Sequence, residues 1–238
     1  MNIDKITKLY YSVVPMRFVR FHAYRVNKFI EKLSLEYDFD GNTVLDIGAG
    51  SASNSAYFSK AKYVSQDIIQ NRYKTIDYVF DICKDAGAIN DESIDVILCS
   101  QVLEHLTDPK NALIEMYRVL NPGGKVFLTT HMAFEEHMIP HDYWRFTEYG
   151  VKLLAKQSKF NVNHFERHGA TMNLIHFAFW TWPIRVFFKD RSGFGYYLYS
   201  LLSTPFVLIT GIFSELIDYL CKENGIYTNF EIILEKNE

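Results

Sequence analysis

The sequence lacks the features that mark disulfide-stapled, zinc-binding, secreted or nucleic-acid-binding proteins. Its three cysteines, Cys83, Cys99 and Cys221, are widely spaced with no CxxC pair, so we expect three buried thiols and no zinc site. The net charge of -3 gives no overall basic field for nucleic acid. The N-terminus has no basic segment followed by an apolar core and a cleavage site, so we expect a cytoplasmic protein.

The pattern that is present is an alternation of strand-like and helix-like segments. A chain of 238 residues is long enough for one α/β domain with a full core. The predicted strands are 43–47, 62–66, 77–80, 94–99, 125–130, 160–166 and 230–234, and the predicted helices are 52–59, 109–120 and 147–157. Such alternation predicts a mostly parallel, doubly wound sheet with helices on both faces.

A basic segment precedes the first predicted strand. It carries Lys5, Lys8, Arg17, Arg20, Arg25, Lys28 and Lys32 against Glu31, while apolar residues recur at helical spacing. The pattern predicts a basic amphipathic helical leader over residues 1–40, before a single domain over 41–238. Its basic face is either simply solvated or attracted to anionic lipid.

The turn after the first predicted strand has the composition of a nucleoside-binding loop. Gly48 and Gly50 can adopt backbone angles closed to other residues and let a ligand lie against the main chain. Asp67 follows about 20 residues later, where a carboxylate can accept hydrogen bonds from ribose hydroxyls. Ser53 stands where a dinucleotide-binding loop would have its third glycine, and Asp46 disfavours a pyrophosphate. These residues favour a cationic, phosphate-free nucleoside over the NAD of an oxidoreductase.

At this point the sequence resembles the class I S-adenosylmethionine-dependent methyltransferases, and within them the type 11 subgroup. Residues 46–50 resemble the glycine-rich first motif, residues 93–99 the fourth strand, residues 100–106 the segment beside the methyl donor, and residues 118–124 the turn before strand five. The resemblance implies S-adenosyl-L-methionine as cofactor. It also implies a Rossmann-like, doubly wound, mostly parallel seven-stranded sheet with an antiparallel last strand.

The resemblance implies a set of cofactor-binding residues. They are Asp46, Gly48, Ala49, Gly50, Asp67, Ile68, Asp81, Ile82, Ser100 and Gln101. Asp67 resembles the ribose-binding acid, and Asp81 with Ile82 the pair that holds the adenine. A structural interpretation stands beside each, because the glycines also suit an ordinary turn, Asp67 a helix cap and Asp81 a loop acid.

The loop after the fifth predicted strand holds the candidate catalytic groups. His131, His137 and His141 are the candidate general bases, with Asp142 or Glu135 able to orient an imidazole. Aromatic residues nearby also suit a purely structural loop. The same three histidines could be metal ligands, since His137 and His141 are four residues apart. Pro140 disfavours the helix that would bring these two to one metal, so we expect none.

Residues 170–227 form an apolar helical insertion between the last two strands, with no charged residue from Ser192 to Ser214. This length approaches the roughly 20 residues that cross a bilayer. A single crossing would separate the last strand from its sheet, and a hairpin would have a short leg containing Arg185. We therefore expect a cap over the substrate, a homodimer interface or a helical pair at a membrane surface.

The sequence thus predicts a methyltransferase that acts on oxygen or nitrogen of a small-molecule or lipid-linked sugar acceptor. Residues 141–147 resemble a segment of methyltransferases associated with cell-surface polysaccharide synthesis. The alternatives are a catalytically inactive cofactor-binding protein and an NAD-dependent oxidoreductase. The expected partners are the substrate, peripheral membrane lipid and a second copy in a homodimer, without nucleic acid.

Overall fold

A computed structural model describes residues 18, 21–84, 87–188, 193–221 and 225–237. The chain divides into two compact units. The sheet unit comprises Lys28–Arg167 and Asn229–Glu238, and the helical unit comprises His168–Thr228 with the chain before Lys28. Most of the basic residues of the predicted leader, Lys5, Lys8, Arg17 and Arg20, lie outside the described residues.

The sheet has seven strands, which confirms the fold predicted from the sequence. They are β1 (Thr43–Ile47), β2 (Lys62–Asp67), β3 (Tyr78–Val79), β4 (Ile94–Ser100), β5 (Leu120–His131), β6 (Asn161–His168) and β7 (Asn229–Glu235). Their order is β3-β2-β1-β4-β5-β7-β6. Strands β1 to β5 pair in parallel, and β7 pairs antiparallel with β5.

Three helices and two short 3-10 turns accompany the strands. The helices are α1 (Phe21–Glu36), α2 (Pro109–Val119) and α3 (Glu148–Gln157), and the turns are Ser53–Phe58 and Leu103–His105. Side chains cap two of the helices, because Asp108 accepts a hydrogen bond from Asn111 N and Thr147 accepts one from Gly150 N. These caps set the residues at which the chain passes from the loops at the carboxyl edge of the sheet into α2 and α3.

Two elements differ from the sequence prediction, one in its type and one in where it begins. The predicted helix 52–59 is a 3-10 turn, preceded by Ala52 in the left-handed region at φ 56°. Strand β5 begins at Leu120 rather than at 125, since Leu120 pairs with Ile94 before an irregularity in the register. Proline and glycine in residues 122–124 are thus accommodated within the strand at this irregularity.

Aromatic rings fill the core of the sheet unit. Phe127 of β5 is fully buried, and its ring lies 5.1 Å from that of Tyr37 and 6.3 Å from that of Phe39, centroid to centroid. Helix α1 adds Phe29 to the same cluster and buries Ile30 and Leu33 beside it. The apolar face predicted for this segment is therefore the face that packs.

The cluster gives a stability prediction. Phe127→Ala removes a buried ring and its aromatic neighbours, so we expect the free energy of unfolding to fall by about 3–5 kcal/mol. Urea denaturation followed by circular dichroism measures it. The control is Leu35→Ala, at a position 80% exposed, where we expect a change within about 0.5 kcal/mol. Equal effects of both substitutions would contradict this account of the core.

The helical unit contains α4 (Thr171–Phe187) and α5 (Gly193–Cys221), which run antiparallel. Backbone hydrogen bonds from Thr228 N to the carbonyl oxygens of His168 and Gly169, 3.1 and 2.8 Å long, close the base of the pair. Cys83 and Cys99 are buried as expected, but Cys221, the last residue of α5, is exposed. The expectation of three buried thiols is therefore wrong for Cys221.

Candidate functional site

The strand order reverses between β1 and β4, and the turns that follow these two strands meet at the carboxyl edge of the sheet. Ligands bind at such switch points in open parallel sheets. Gly48, directly after β1, has φ 66°, and a Cβ there would lie 2.4 Å from Cγ2 of Val102 in the turn after β4. Only glycine fits, because both the backbone angle and the space exclude a side chain.

The glycine loop is tied to the end of β2. Gly50 N donates a hydrogen bond of 2.9 Å to Oδ2 of Asp67, and Ala49 N donates one of 3.0 Å to Gln66 O. Asn71 Nδ2 donates to Gly50 O at 2.8 Å. Three residues predicted to bind the cofactor, Ala49, Gly50 and Asp67, therefore lie side by side.

Asp46 makes contacts within the protein that the sequence pattern did not predict. Its side chain is buried, and its Oδ2 accepts hydrogen bonds from Tyr63 Oη and from Asn54 Nδ2, the latter 3.0 Å long. Burial raises the pKa of Asp46 to about 6. Because this carboxyl oxygen bonds the protein itself, Asp46 holds the loop in shape.

The other predicted cofactor-binding residues extend the same edge. Ser100 ends β4 and Gln101 follows it, and both side chains hydrogen-bond Oγ1 of Thr129 on β5, at 3.1 and 3.0 Å. Beyond β3, Asp81 Oδ1 accepts a hydrogen bond from Cys83 N, and Ile82 is buried. Ile68, directly after β2, is 61% exposed and presents an apolar surface at this edge.

A buried acid lies beside the first of the candidate bases. His131 ends β5, and its Nε2 is 3.4 Å from Oε1 of Glu104. Thr130 Oγ1 donates a 2.7 Å hydrogen bond to the other carboxyl oxygen of Glu104. Burial raises the pKa of Glu104 to about 7. Both residues are almost fully buried, so neither side chain meets solvent directly.

His137 lies at the centre of a group of imidazoles. Its ring centroid is 4.7 Å from that of His105 and 5.4 Å from that of His131. Its Nδ1 is 3.3 Å from Oδ2 of Asp142, and hydrogen bonds from Arg145 hold the pKa of that carboxyl well below its usual range. Burial lowers the pKa of His137, so the imidazole is neutral near pH 7.

His141 stands apart from this group. Its exposed ring hydrogen-bonds Tyr143 Oη at 3.0 Å, and only its backbone carbonyl reaches the group, where it is 2.6 Å from Nδ1 of His105. The structure thus brings His131 and His137 together and leaves the ring of His141 outside. It adds Glu104 and His105, whose sequence signal was their position directly after β4.

The loop that carries the histidines is fastened to the ends of β4 and β5. Tyr143 N and Trp144 N both donate to Glu104 O, at 2.9 and 3.1 Å, and Phe146 N donates to His131 O at 2.9 Å. Trp144 Nε1 donates to Leu106 O at 2.8 Å. The side chains of Tyr143 and Trp144 are still 44% and 43% exposed, so they present ring surface beside the imidazoles.

Two sets of side chains in this region have the donor chemistry of a metal site. Glu104, His131 and His137 each offer an atom within 4.8 Å of the others, and so do His105, His137 and Asp142. Arg145 binds both carboxyl oxygens of Asp142 at 2.7 Å, which disfavours a cation at the second set. The sequence offered His131, His137 and His141 as possible ligands and did not offer Glu104, and the absence of a metal stays a prediction.

The buried acid gives a prediction for the pH dependence of stability. The pKa of Glu104 is raised in the folded protein, from 4.5 to about 7, so the folded state holds this proton more tightly than the unfolded state. Its contribution therefore favours folding at low pH and is lost as pH rises from about 4.5 to 7. The side chain of Glu104→Gln cannot ionise, so this variant does not lose that contribution. We therefore expect its free energy of unfolding, minus that of wild type, to increase between pH 4.5 and 7 by up to roughly 3 kcal/mol.

Urea denaturation of both proteins at half-unit steps of pH measures this difference. Glu115→Gln, at an acid paired with Arg118 on α2, is the control and should leave the wild-type slope between pH 4.5 and 7 in place. Parallel stability curves for wild type and Glu104→Gln would contradict the raised pKa.

The glycine turn at the switch point, the acid that ends β2 and the antiparallel seventh strand together define a Rossmann-like nucleoside-binding fold of the methyltransferase kind. A family model described as a methyltransferase domain matches residues 18–173. The chain belongs to this family, within the class I S-adenosylmethionine-dependent methyltransferases.

Individual relatives are more distant. The ubiquinone biosynthesis O-methyltransferase of Xanthomonas oryzae pv. oryzae is 29% identical over 114 residues, which are 42% of this chain and 48% of the relative. The thiol S-methyltransferase TMT1B of Homo sapiens is 26% identical over 117 residues, 43% of this chain and 46% of the relative. The chain therefore spans about half the length of these curated relatives.

Solved structures share the fold. Phosphoethanolamine N-methyltransferase 2 of Haemonchus contortus, crystallised with S-adenosyl-L-methionine, superposes with a TM-score of 0.54 at 15% identity. The similarity covers 89% of this chain and 52% of that one. These relatives and this structure are named for transfer to oxygen, sulfur and nitrogen respectively, so the family does not specify the acceptor atom.

Proposed function

We propose that this protein transfers the methyl group of S-adenosyl-L-methionine to oxygen or nitrogen of a small-molecule acceptor. The proposal rests on two groups of residues that lie at the same edge of the sheet. The glycine loop and Asp67 lie after β1 and β2, and the imidazoles of His131 and His137 lie with the turns after β4 and β5. A methyl donor bound at the glycine loop would be on the same edge as imidazoles that can accept a proton from the acceptor.

The cofactor fits the first group by its chemistry. The donor has ribose hydroxyls for the Asp67 carboxylate, an adenine for the exposed apolar surface of Ile68, and no phosphate that would meet the acidic residues there. Ser100 and Gln101 lie across the switch point from the glycine loop, where the methionine end would extend. Asp46 supports this binding indirectly, through the hydrogen bond from Asn54.

Two substitutions test the cofactor site. Asp67→Asn keeps an acceptor for Gly50 N but removes the charge offered to the ribose, and Gly48→Val places a side chain against Val102. We expect each to weaken S-adenosylmethionine binding at least tenfold, about 1.4 kcal/mol, in calorimetric titration. Asp40→Asn, the same change at the amino end of β1, is the control. Unchanged affinity in both folded variants would refute the site.

His137 is the proposed general base for the acceptor. It has the most exposed ring of the three clustered histidines that follow β4 and β5, and Asp142 lies 3.3 Å from its Nδ1. A carboxylate at one ring nitrogen orients the imidazole and stabilises the imidazolium formed when the other nitrogen takes a proton. His131 and Glu104 pack behind it and keep it in position.

Substitution of the histidines tests this role. His137→Gln removes the base but keeps an amide near Asp142, so we expect kcat to fall by about 10²-fold, with S-adenosylmethionine affinity unchanged. His141→Gln, on the exposed ring outside the group, should change kcat by less than about threefold. The assay follows labelled methyl transfer to nucleotide sugars and polyprenyl-linked sugars.

Two further measurements distinguish a general base at His137 from a metal ion bound there. The wild-type rate should fall as pH drops through the lowered pKa of His137, because the base must be neutral, and this fall should lie below pH 6.5. Chelation with EDTA should leave the rate unchanged. A rate abolished by EDTA and restored by a divalent cation would replace the base by a metal.

For the acceptor we propose a sugar, in free or lipid-linked form. The support is the exposed ring surface of Tyr143 and Trp144 beside His137, since aromatic faces pack on the apolar faces of sugar rings. We also propose that the protein acts at the cytoplasmic side of a membrane. A homodimer is a further proposal, and sedimentation tests it.

A protein that binds the cofactor without turning it over is the second candidate. The near-complete burial of His131 and Glu104 favours it, because a buried pair can serve packing alone. Tight cofactor binding without methyl transfer to any member of the acceptor panel would support this candidate. Tight NAD binding in place of the sulfur nucleosides would support an oxidoreductase.

A further inference from the structure

The helical unit reverses the usual distribution of side chains between interior and surface. The buried residues of α5 are Ser203, Val207, Gly211 and Ser214, three of them small or polar. The large apolar side chains of the same helix are exposed, among them Phe194, Leu198, Leu201, Leu202, Phe206, Ile209, Ile212, Phe213, Leu216 and Leu220. A helix in water has its polar residues on this outer face. Small residues inside and large apolar residues outside are the pattern of helices that pack in lipid.

The polar groups of the pair face inward. Asn173 N of α4 donates a 2.8 Å hydrogen bond to Asp218 Oδ2 of α5. Trp180 Nε1 donates a 2.9 Å hydrogen bond to Thr210 Oγ1, which is also 3.1 Å from Nδ1 of His176. These contacts satisfy groups that hydrocarbon would leave unpaired, so the two helices carry their own polar partners.

Both helices of the pair expose large apolar side chains. Phe179 of α4 and Ile209 of α5, each 66% exposed, directly precede Trp180 and Thr210, which hydrogen-bond across the pair. Phe18 of the same unit packs on Gly211, one of the buried small residues of α5. The exposed side chains of both helices are therefore the surface that hydrocarbon would cover.

The dimensions and ends of the pair agree with a bilayer. Among the described residues one helix, Gly193–Cys221, is long and apolar enough to cross a membrane, and only 17% of its most apolar window is buried. At about 1.5 Å per residue, α5 is roughly 43 Å long and α4 roughly 25 Å, against a hydrocarbon thickness of roughly 30 Å. The base, where Thr228 meets His168, brings both legs out on the same side.

The far end of the pair has the residues of a membrane interface. Trp182 lies near the end of α4, and Tyr196, Tyr197 and Tyr199 lie at the start of α5. Tryptophan and tyrosine concentrate at headgroup level. Arg185, in the last turn of α4, has a side chain long enough to reach the same interface.

We propose that α4 and α5 form a hairpin that inserts into a phospholipid bilayer, with hydrocarbon on its exposed apolar side chains and both ends on one face of the membrane. The sequence before Lys28, which belongs to the same unit, carries Lys5, Lys8, Arg17, Arg20 and Arg25 against one acid, Asp4. A sequence of this charge is attracted to anionic lipid. The inference is independent of the methyl-transfer reaction.

The experiment uses the full chain and vesicles of phosphatidylcholine with one fifth phosphatidylglycerol. We expect the protein to float with the vesicles and to stay with them after washing in 0.5 M salt and in carbonate at pH 11. Release by salt would overturn insertion, because it indicates adsorption through the basic segment alone. A protein that sediments as a lipid-free dimer without floating would overturn it in favour of a protein interface.

Two variants test whether both helices insert. Phe179→Glu and Ile209→Glu place a charge on the exposed surface of α4 and of α5, and insertion predicts that each lowers the vesicle-bound to free ratio at least tenfold. Leu35→Glu, at the 80% exposed position of the sheet unit, is the matched control and should leave the ratio unchanged. Loss in only one of the two would overturn the hairpin, and a circular dichroism spectrum like that of wild type shows that each variant has folded.

Discussion

The close approach of two turns at the carboxyl edge of the sheet is the constraint on which the candidate site depends. The chain after β1 passes the chain after β4 with no room for a Cβ at Gly48. Because the loop must turn there with a positive φ, Gly50 N points at Asp67, and the ends of β1 and β2 are joined. Val102 fills the space on the other side, directly before the turn that carries Glu104 and His105. One contact thus sets the geometry of both the glycine loop and the imidazole group.

Burial decides the electrostatics of the imidazole group. Glu104 has its pKa raised and His137 has its pKa lowered by the same cause, the removal of water from the charged form. Asp142 differs because Arg145 binds it through two hydrogen bonds and keeps it ionised. A fixed carboxylate beside a neutral imidazole is an arrangement that accepts a proton near neutral pH.

The two units of the chain follow opposite rules of burial. In the sheet unit, Phe127 and its aromatic neighbours are inside, as the hydrophobic effect in water requires. In the helical unit, Ser203, Gly211 and Ser214 are inside and the leucines and phenylalanines of α5 are outside. This contrast within one chain is the physical basis for proposing two solvents, water for the sheet unit and lipid for the hairpin.

Local signals in the sequence were enough for most of the fold. Alternation of apolar segments predicted all seven strands, and the glycine loop with Asp67 predicted which strand ends meet, because these features depend on residues close together in the chain. The type of the turn at 53–58 and the start of β5 were wrong. Both depend on pairing with distant segments, such as Leu120 with Ile94.

The sequence by itself determined the methyltransferase family and a mostly parallel seven-stranded sheet with an antiparallel last strand, since motif spacing carries that information. Tertiary structure alone separated His137 from His141, joined Glu104 to His131, and bound Asp46 to Asn54 and Tyr63. It also showed which side of α5 is inside. A uniformly apolar sequence has no period that tells a buried face from an exposed one, so only the packing within the helical unit decided it.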